Sequence, residues 1–160
     1  AYQKGYDIII ERMSEMKSNL NFNLLILGSG ELENDLKQLV ISKGLSDYVR
    51  FIGYRKNVSS YIRYADALLL SSRYEGFPNI VLEANSLGKP VFSNSCKGGI
   101  NEIIINGSNG LACDFTNKED FQNGLHEFLG TKFDESKIVE LTSSRYSIET
   151  IIKKYINFFS

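Results

Sequence analysis

Apolar and polar positions along this chain fall in short blocks that switch repeatedly between a strand-like and a helix-like period. Gly5 to Lys17 is helix-forming, with no strand ahead of it. Asn21 to Leu27 ("NFNLLIL") then reads as a strand and Glu31 to Ser42 as an amphipathic helix; Tyr48 to Gly53 ("YVRFIG") reads as a strand and Val58 to Tyr64 as a short helix. Asp66 to Ser71 ("DALLLS") is the most continuous apolar run, which predicts the central strand, because strands covered on both faces lose polar alternation. Asn79 to Gly88 reads as a helix, Pro90 to Ser93 as a strand, Gly99 to Asn106 as a helix, Leu111 and its neighbours as a short strand, and Lys118 to Leu129 as a helix.

Strand-helix repetition at this spacing predicts an α/β fold, a parallel sheet with helices on both faces and ligands outside the carboxyl ends of its strands. After Gly130 the pattern changes to two helices, Asp134 to Ser143 and Ser147 to Phe159, with no strand between them. Ser147, followed by Glu149 and Thr150, is a plausible amino cap. Ile148, Ile151, Ile152, Tyr155, Ile156 and Phe159 form an apolar stripe that must pack on something. Residues 1–160 therefore read as one domain, with a core of about 1–130 and a helical tail of about 131–160.

A 160-residue chain can bury about 70% of the surface its unfolded form exposes. Net charge is -1, which argues against nucleic acid or anionic lipid as the main partner. No apolar run approaches the roughly 20 residues that cross a bilayer. The opening Ala1-Tyr2 is neither a start Met nor a signal segment, so a piece of a longer protein is expected. Cys96 and Cys113 have no Cys-x-x-Cys spacing, so free thiols in a reducing cytosol are expected, and no metal site. His126, the only histidine, lies in a polar helical stretch and supports no hydrolytic triad. Gly28-Ser29-Gly30 follows a strand, but Glu33 stands where a dinucleotide fingerprint needs its third glycine, so a tight turn into a helix is the better account.

Candidate chemistry concentrates in Arg73 to Ala84, "RYEGFPNIVLEA", which follows the apolar run. With a helix starting near Asn79, Ile80, Glu83, Ala84 and Leu87 share one face, so Glu83 is expected among apolar residues. A carboxylate there needs compensation from a hydrogen-bond network or a ligand's hydroxyls. Glu75 is expected in the loop at the ligand-binding edge, beside a helix start whose free amides favour anions. Two acids and an anion-favouring helix start suit a sugar nucleotide.

Glu75, seven intervening residues and Glu83, within "EGFPNIVLEA", resemble the signature of the retaining glycosyltransferases of family four. "QKGYDIII", "LLILGSGELENDLKQL", the block from "VRFIGYRKNVSSYIRYADALLLSSRYEGF" through "PVFSN", and "KGGINEIIINGSNGLACDF" resemble that family's other segments in order. The resemblance implies a Rossmann-like carboxy-terminal half of the two-domain GT-B fold, which binds a nucleotide-diphosphate sugar, expected to be a UDP-sugar, with no metal or other cofactor. It implies that Glu83 contacts the ribose hydroxyls, and that Glu75 contacts hydroxyls of the transferred sugar. The backbone of Gly76, Phe77, Asn79 and Ile80 would lie near the donor's phosphate and sugar, and the base near Gly53, Tyr54 and Arg55. Lys4 matches the lysine that neutralises the leaving diphosphate, whereas the family's partnering arginine would lie ahead of Ala1.

On the same resemblance, a glycan or lipid-linked acceptor would bind through an amino-terminal domain absent from this chain. Any contact with the inner face of the membrane would belong to that half, and the terminal helix would cross back to it; in this chain alone its apolar stripe would cover a different surface, remain partly exposed or dimerise. The fragment alone is expected to be inactive in transfer. Gly98-Gly99 ahead of Glu102 is either an ordinary helix entry or a donor contact. A non-catalytic nucleotide-binding module and half of a sugar-nucleotide epimerase are the alternative functions.

Overall fold

A computed structural model describes residues 2–159. The chain runs through α1 (Tyr6–Glu15), β1 (Leu24–Leu27), α2 (Glu33–Ser42), β2 (Val49–Gly53), α3 (Val58–Tyr64), β3 (Leu68–Leu70), α4 (Asn79–Ser86), β4 (Val91–Asn94), α5 (Ile100–Ile103), β5 (Gly110–Cys113), α6 (Lys118–Gly130), α7 (Glu135–Tyr146) and α8 (Ile148–Phe159). A short 3-10 turn, Tyr2–Lys4, precedes α1. Every paired strand is parallel, as the strand-helix alternation predicts.

The parallel strands are divided between two ladders, β1-β2 and β3-β4-β5. Apolar packing joins what hydrogen bonds do not: Ile26 of β1 and Val49 of β2 share one core with Phe92 of β4 and Leu111 of β5. Phe92 is its centre, with its ring 4.8 Å from Phe115, 5.7 Å from Phe121 and 5.2 Å from Phe128. Rings tilted at such separations contribute beyond the area they bury. A second apolar cluster lies around Val81, Ala84, Ile100 and Ile103, between α4 and α5.

Three sequence expectations change here. The central strand of the larger sheet is β4, not the apolar run at β3, which lies at the edge with Leu68 and Leu69 half-buried. β4 is buried along its whole length yet ends in Ser93 and Asn94. Its polar end is tolerated because Asn94 donates to Ser72 O (2.9 Å) and accepts from Phe115 N (2.9 Å), tying β4 to the segments after β3 and β5.

The helix expected over 99–106 closes after Ile103. Asn109 takes over its end, accepting from Ile105 N (2.7 Å) and donating to Ile103 O (2.9 Å). The two tail helices also differ in burial. α7 packs on α4 and buries Ile138 fully, so it belongs to the core. α8, capped by Ser147 Oγ on Thr150 N (3.2 Å), buries none of its residues, and of the three outcomes open to its stripe the structure shows partial exposure, with only Ile151 of the stripe half-buried.

Both cysteines are free, Cys96 buried and Cys113 half-buried. Burial pushes the Cys113 thiol up to about 12, with neighbouring acids adding to the shift, so it is protonated at neutral pH. His126 is exposed, as expected.

Candidate functional site

β3 delivers the chain into Ser71 and Ser72, both buried, and then into the loop that carries Glu75. The first residues of the chain dock on this segment. Ser71 Oγ donates to Lys4 O (2.8 Å), and Arg73 N donates to Gln3 O (2.8 Å). Gly5 makes the approach possible, because at its φ of 62° a side-chain Cβ would fall 2.1 Å from Ser71 O.

This docking places Lys4 Nζ 2.8 Å from Glu75 Oε1, across 71 positions of sequence. Ser72 Oγ donates to the same oxygen at 2.7 Å. Glu75 is 11% exposed and Lys4 43%, so the carboxylate is sheltered while the ammonium reaches solvent. Burial by itself would raise the Glu75 carboxyl, but the hydrogen bonds from Lys4 and Ser72 and the lysine's charge outweigh it and hold the pKa below the ordinary value. No donor among the described residues takes Glu75 Oε2. An ammonium has three donors and spends one here. The pair therefore presents an ionised carboxylate with a free acceptor and a cation with donors to spare.

The Glu75 loop is fastened on its other side to the segment after β4. Glu75 N donates to Lys97 O (3.2 Å) and Gly99 N to Gly76 O (2.9 Å). Gly98 is the hinge of this seam: its φ is 121°, and a Cβ there would fall 1.6 Å from Glu75 O. Gly98-Gly99 thus does more than open a helix, since it sets how closely two loops can meet.

α4 begins directly after the loop. Pro78 (φ -79°, ψ 84°) adopts an inverse γ-turn in which Asn79 N donates to Phe77 O at 3.0 Å. The Asn79 amide is therefore occupied, and it is not available as the phosphate donor the sequence suggested. The amides of Phe77 and Ile80 find no acceptor among the described residues. Phe77 itself is exposed, its ring 6.2 Å from Tyr146 in an edge-on contact.

Glu83 departs from expectation. The buried face of α4 is Val81, Ala84 and Asn85, and Glu83 is exposed rather than set in an apolar stripe. Ile80 and Leu87, which share its sequence face, are only half-buried and flank the packed face. A helix residue lies 100° from its neighbour, so choosing 80/84/87 instead of 81/84/85 as the stripe was enough to misplace Glu83.

Gly53, Tyr54 and Arg55 close the carboxyl end of β2. Gly53 O accepts from Gly28 N (2.9 Å), and Arg55 bonds to Tyr54 O (3.0 Å) and to the Tyr61 hydroxyl (3.1 Å). They make no hydrogen bond to the Glu75 loop. The structure thus brings Lys4 and Glu75 into contact, while Glu83, Tyr54 and Arg55 are exposed and Gly53 is half-buried.

Sequence reasoning missed Ser72, Asn94 and the Arg73-Asp7 pair, in which Arg73 Nη1 and Nη2 donate to the two Asp7 oxygens at 2.8 and 2.5 Å. Only Ser72 left a signal, a second hydroxyl closing an apolar run. Cavities of about 360 and 320 Å³ lie elsewhere, at Lys132 to Lys137 and between Tyr2, Tyr6 and the start of α2, and neither is lined by Glu75 or Glu83. Among the described residues no group of three or more His, Cys, Asp or Glu could hold a metal ion, and no helix is long and apolar enough to cross a membrane.

An uncharacterized glycosyltransferase of Haemophilus influenzae is 31% identical over 156 residues, 95% of this chain and 44% of that protein. The lipopolysaccharide core biosynthesis glycosyltransferase LpsE of Rhizobium meliloti is 26% identical over 158 residues, 96% of this chain and 45% of its own length. The crystal structure of Anabaena Alr3699/HepE in complex with UDP and glucose has the same fold, with a TM-score of 0.79 at 20% identity over 99% of this chain and 45% of that one. The chain spans less than half the length of these relatives. The model of the family described as glycosyl transferases group 1 matches residues 1–141, so the chain belongs to that family, with the fold of one half of a GT-B glycosyltransferase.

Proposed function

We propose that this chain is the donor-binding domain of a retaining glycosyltransferase of family four, which transfers a hexosyl group from a UDP-sugar to an acceptor hydroxyl with the anomeric configuration kept. The observation that carries this reading is the contact of Lys4, from the turn ahead of α1, with Glu75 and Ser72 after β3, with the start of α4 directly behind it. Glu75 Oε2 accepts from hydroxyls of the transferred sugar. Lys4 keeps its hold on Glu75 and spends its remaining donors on the departing diphosphate, so charge is met by a fixed cation and no metal is required. Phe77 and Ile80 offer free amides to the donor's phosphate and sugar. Glu83, exposed on α4, accepts from the ribose hydroxyls, and its exposure leaves it open to them. The base lies at Gly53 to Arg55. No side chain is assigned as base or nucleophile, because stabilising the leaving phosphate carries this chemistry.

The acceptor and the remaining half of the cleft come from an amino-terminal domain of the whole protein, and an arginine partnering Lys4 lies ahead of Ala1, so this chain by itself binds donor without transferring it. A relative named for lipopolysaccharide core biosynthesis and a fold neighbour solved with UDP and glucose support a UDP-sugar and a cell-surface glycan acceptor. Such an enzyme works in the cytoplasm, at the inner face of the membrane.

Calorimetric titration of the chain with UDP, GDP and ADP tests this. UDP binding near millimolar, about -4 kcal/mol, and its loss in Glu83→Ala are expected. Binding of none of the three, both by this chain and by the full-length protein, would sink the proposal.

A further inference from the structure

We propose that Asp7 and Arg73 are a positioning pair that holds Lys4 in place against Glu75; the functional consequence rests on the donor-site reading above. Lys4 does not fix itself. Its only side-chain hydrogen bond goes to Glu75, it is 43% exposed, and a lysine ammonium rides on a flexible four-carbon stem. What is fixed is the backbone on either side of it, and one guanidinium fixes both flanks. Arg73 grips Asp7, three residues after Lys4, through the fork already described, and Nη1 also donates to Tyr2 O, two residues before it, at 2.7 Å.

The guanidinium lies 4.0 Å from the centroid of the Tyr2 ring. Arg73 N donates to Gln3 O, and Gln3 Nε2 donates to Tyr74 O (3.2 Å), so the segment carrying Lys4 is stitched to the segment carrying Glu75 on both strands of the contact. The Arg73 side chain is 21% exposed and that of Asp7 45%, so what sets this pair apart from a single surface ion pair is its bidentate fork rather than burial. A lysine in its place would keep the charge and lose the fork.

The pair acts on the site only through Lys4. The influences on the Glu75 carboxyl are its burial, Lys4 and Ser72, whereas Arg73 acts on Asp7. The other titratable groups facing Glu75 and Lys4 are the Tyr6 hydroxyl and the Cys96 thiol. Burial raises both above their ordinary values, so they are uncharged while Glu75 titrates.

NMR titration of the Glu75 side-chain carboxyl, in this chain and in Arg73→Gln, Arg73→Lys and Lys4→Ala, provides the test. Glu75 is expected to titrate below the ordinary carboxylate range in the parent. In Arg73→Gln it should move up to its position in Lys4→Ala, with Arg73→Lys between. UDP affinity should fall about tenfold in both Arg73→Gln and Lys4→Ala, and no further in the double variant, because both remove one charged contact. An unmoved Glu75 titration in folded Arg73→Gln, with only a lower melting temperature, overturns the proposal and leaves Arg73 a structural residue. Should Arg73→Gln fail to fold, Asp7→Asn gives the same reading with a milder change. If neither the parent nor the full-length protein binds UDP, GDP or ADP, the donor-site reading fails, while the Glu75 titration still decides the positioning pair.

Discussion

Glu75 and Asp7 are each held in the ionised form by a partner from the other end of the 71–75 docking contact. The bidentate bond from Arg73 outweighs burial and lowers the Asp7 carboxyl below its ordinary 3.8, and Glu75 lies below its ordinary 4.5 through Lys4 and Ser72. The unfolded chain therefore takes up these protons first. The stabilisation is whole at neutral pH, begins to fade below about 4.5, and is lost as pH falls through the folded values. Urea midpoints at pH 7, 4 and 3 should decline more steeply in the parent than in an Asp7→Asn, Glu75→Gln variant. Gly98 gives a second residue-scale test. A Cβ at that position meets backbone, not a flexible side chain, so Gly98→Ala is expected to cost about 3 kcal/mol or more and to weaken UDP binding by displacing the Glu75 loop. Gly107→Ala is the control, with a φ of 78° but nothing within 4 Å; it should cost only about 1 kcal/mol of backbone strain, and leave UDP binding alone.

At the scale of elements, two buried asparagines decide where helices and loops stop. Asn109 donates to Asn85 Oδ1 (2.9 Å) and Ile103 O, and accepts from Ile105 N, while Asn85 donates to Lys89 O (2.9 Å) and Asn109 O (3.1 Å). Between them they satisfy the end of α4, the end of α5 and the approach to β5, where a helix would otherwise run on. Asn109→Ala takes the partner from the part-buried Ile105 amide, the buried Ile103 carbonyl and Asn85 Oδ1 at once. Each orphaned group costs about 1–3 kcal/mol, so a loss of at least about 3 kcal/mol is expected by urea denaturation. Asn85→Ala, which leaves the Ile105 amide satisfied, should cost less.

On the scale of the whole molecule, the packed body ends with α7. α8 presents Ile148, Ile152, Tyr155, Ile156 and Phe159 to solvent on a helix with no buried residue. A chain stopped after Ser147 should therefore keep its melting temperature within about 4 °C. It should also elute as a sharper, less concentration-dependent species in size-exclusion chromatography, because an apolar stripe left open is adhesive. A large drop in melting temperature would mean that α8 contributes to the core after all.

Strand and helix order was readable from the sequence because each element carries its own period: 21–27, 48–53 and 90–93 became β1, β2 and β4 within a few residues, and the tail's two helices appeared as expected. The candidate loop was readable for a similar reason, since Glu75 and the proline-started helix behind it are neighbours in sequence. The phase of α4 was not. Ile80, Val81, Ala84, Leu87 and Asn85 offer two overlapping stripes, and only the surface presented by α5 and α7 selects the one that turns Glu83 outward. The central strand was misjudged because polar Ser93 and Asn94 look like a strand's exposed end until their partners, Ser72 O and Phe115 N, arrive from elsewhere in the chain. Local propensity and periodicity are properties of a few consecutive residues, so the sequence by itself determined the elements, their order and the loop that bears the chemistry. Lys4 against Glu75, Arg73 against Asp7 and Gly98 beneath Glu75 join residues 23 to 71 positions apart. Their meeting depends on how whole elements pack, and only the tertiary structure decided it.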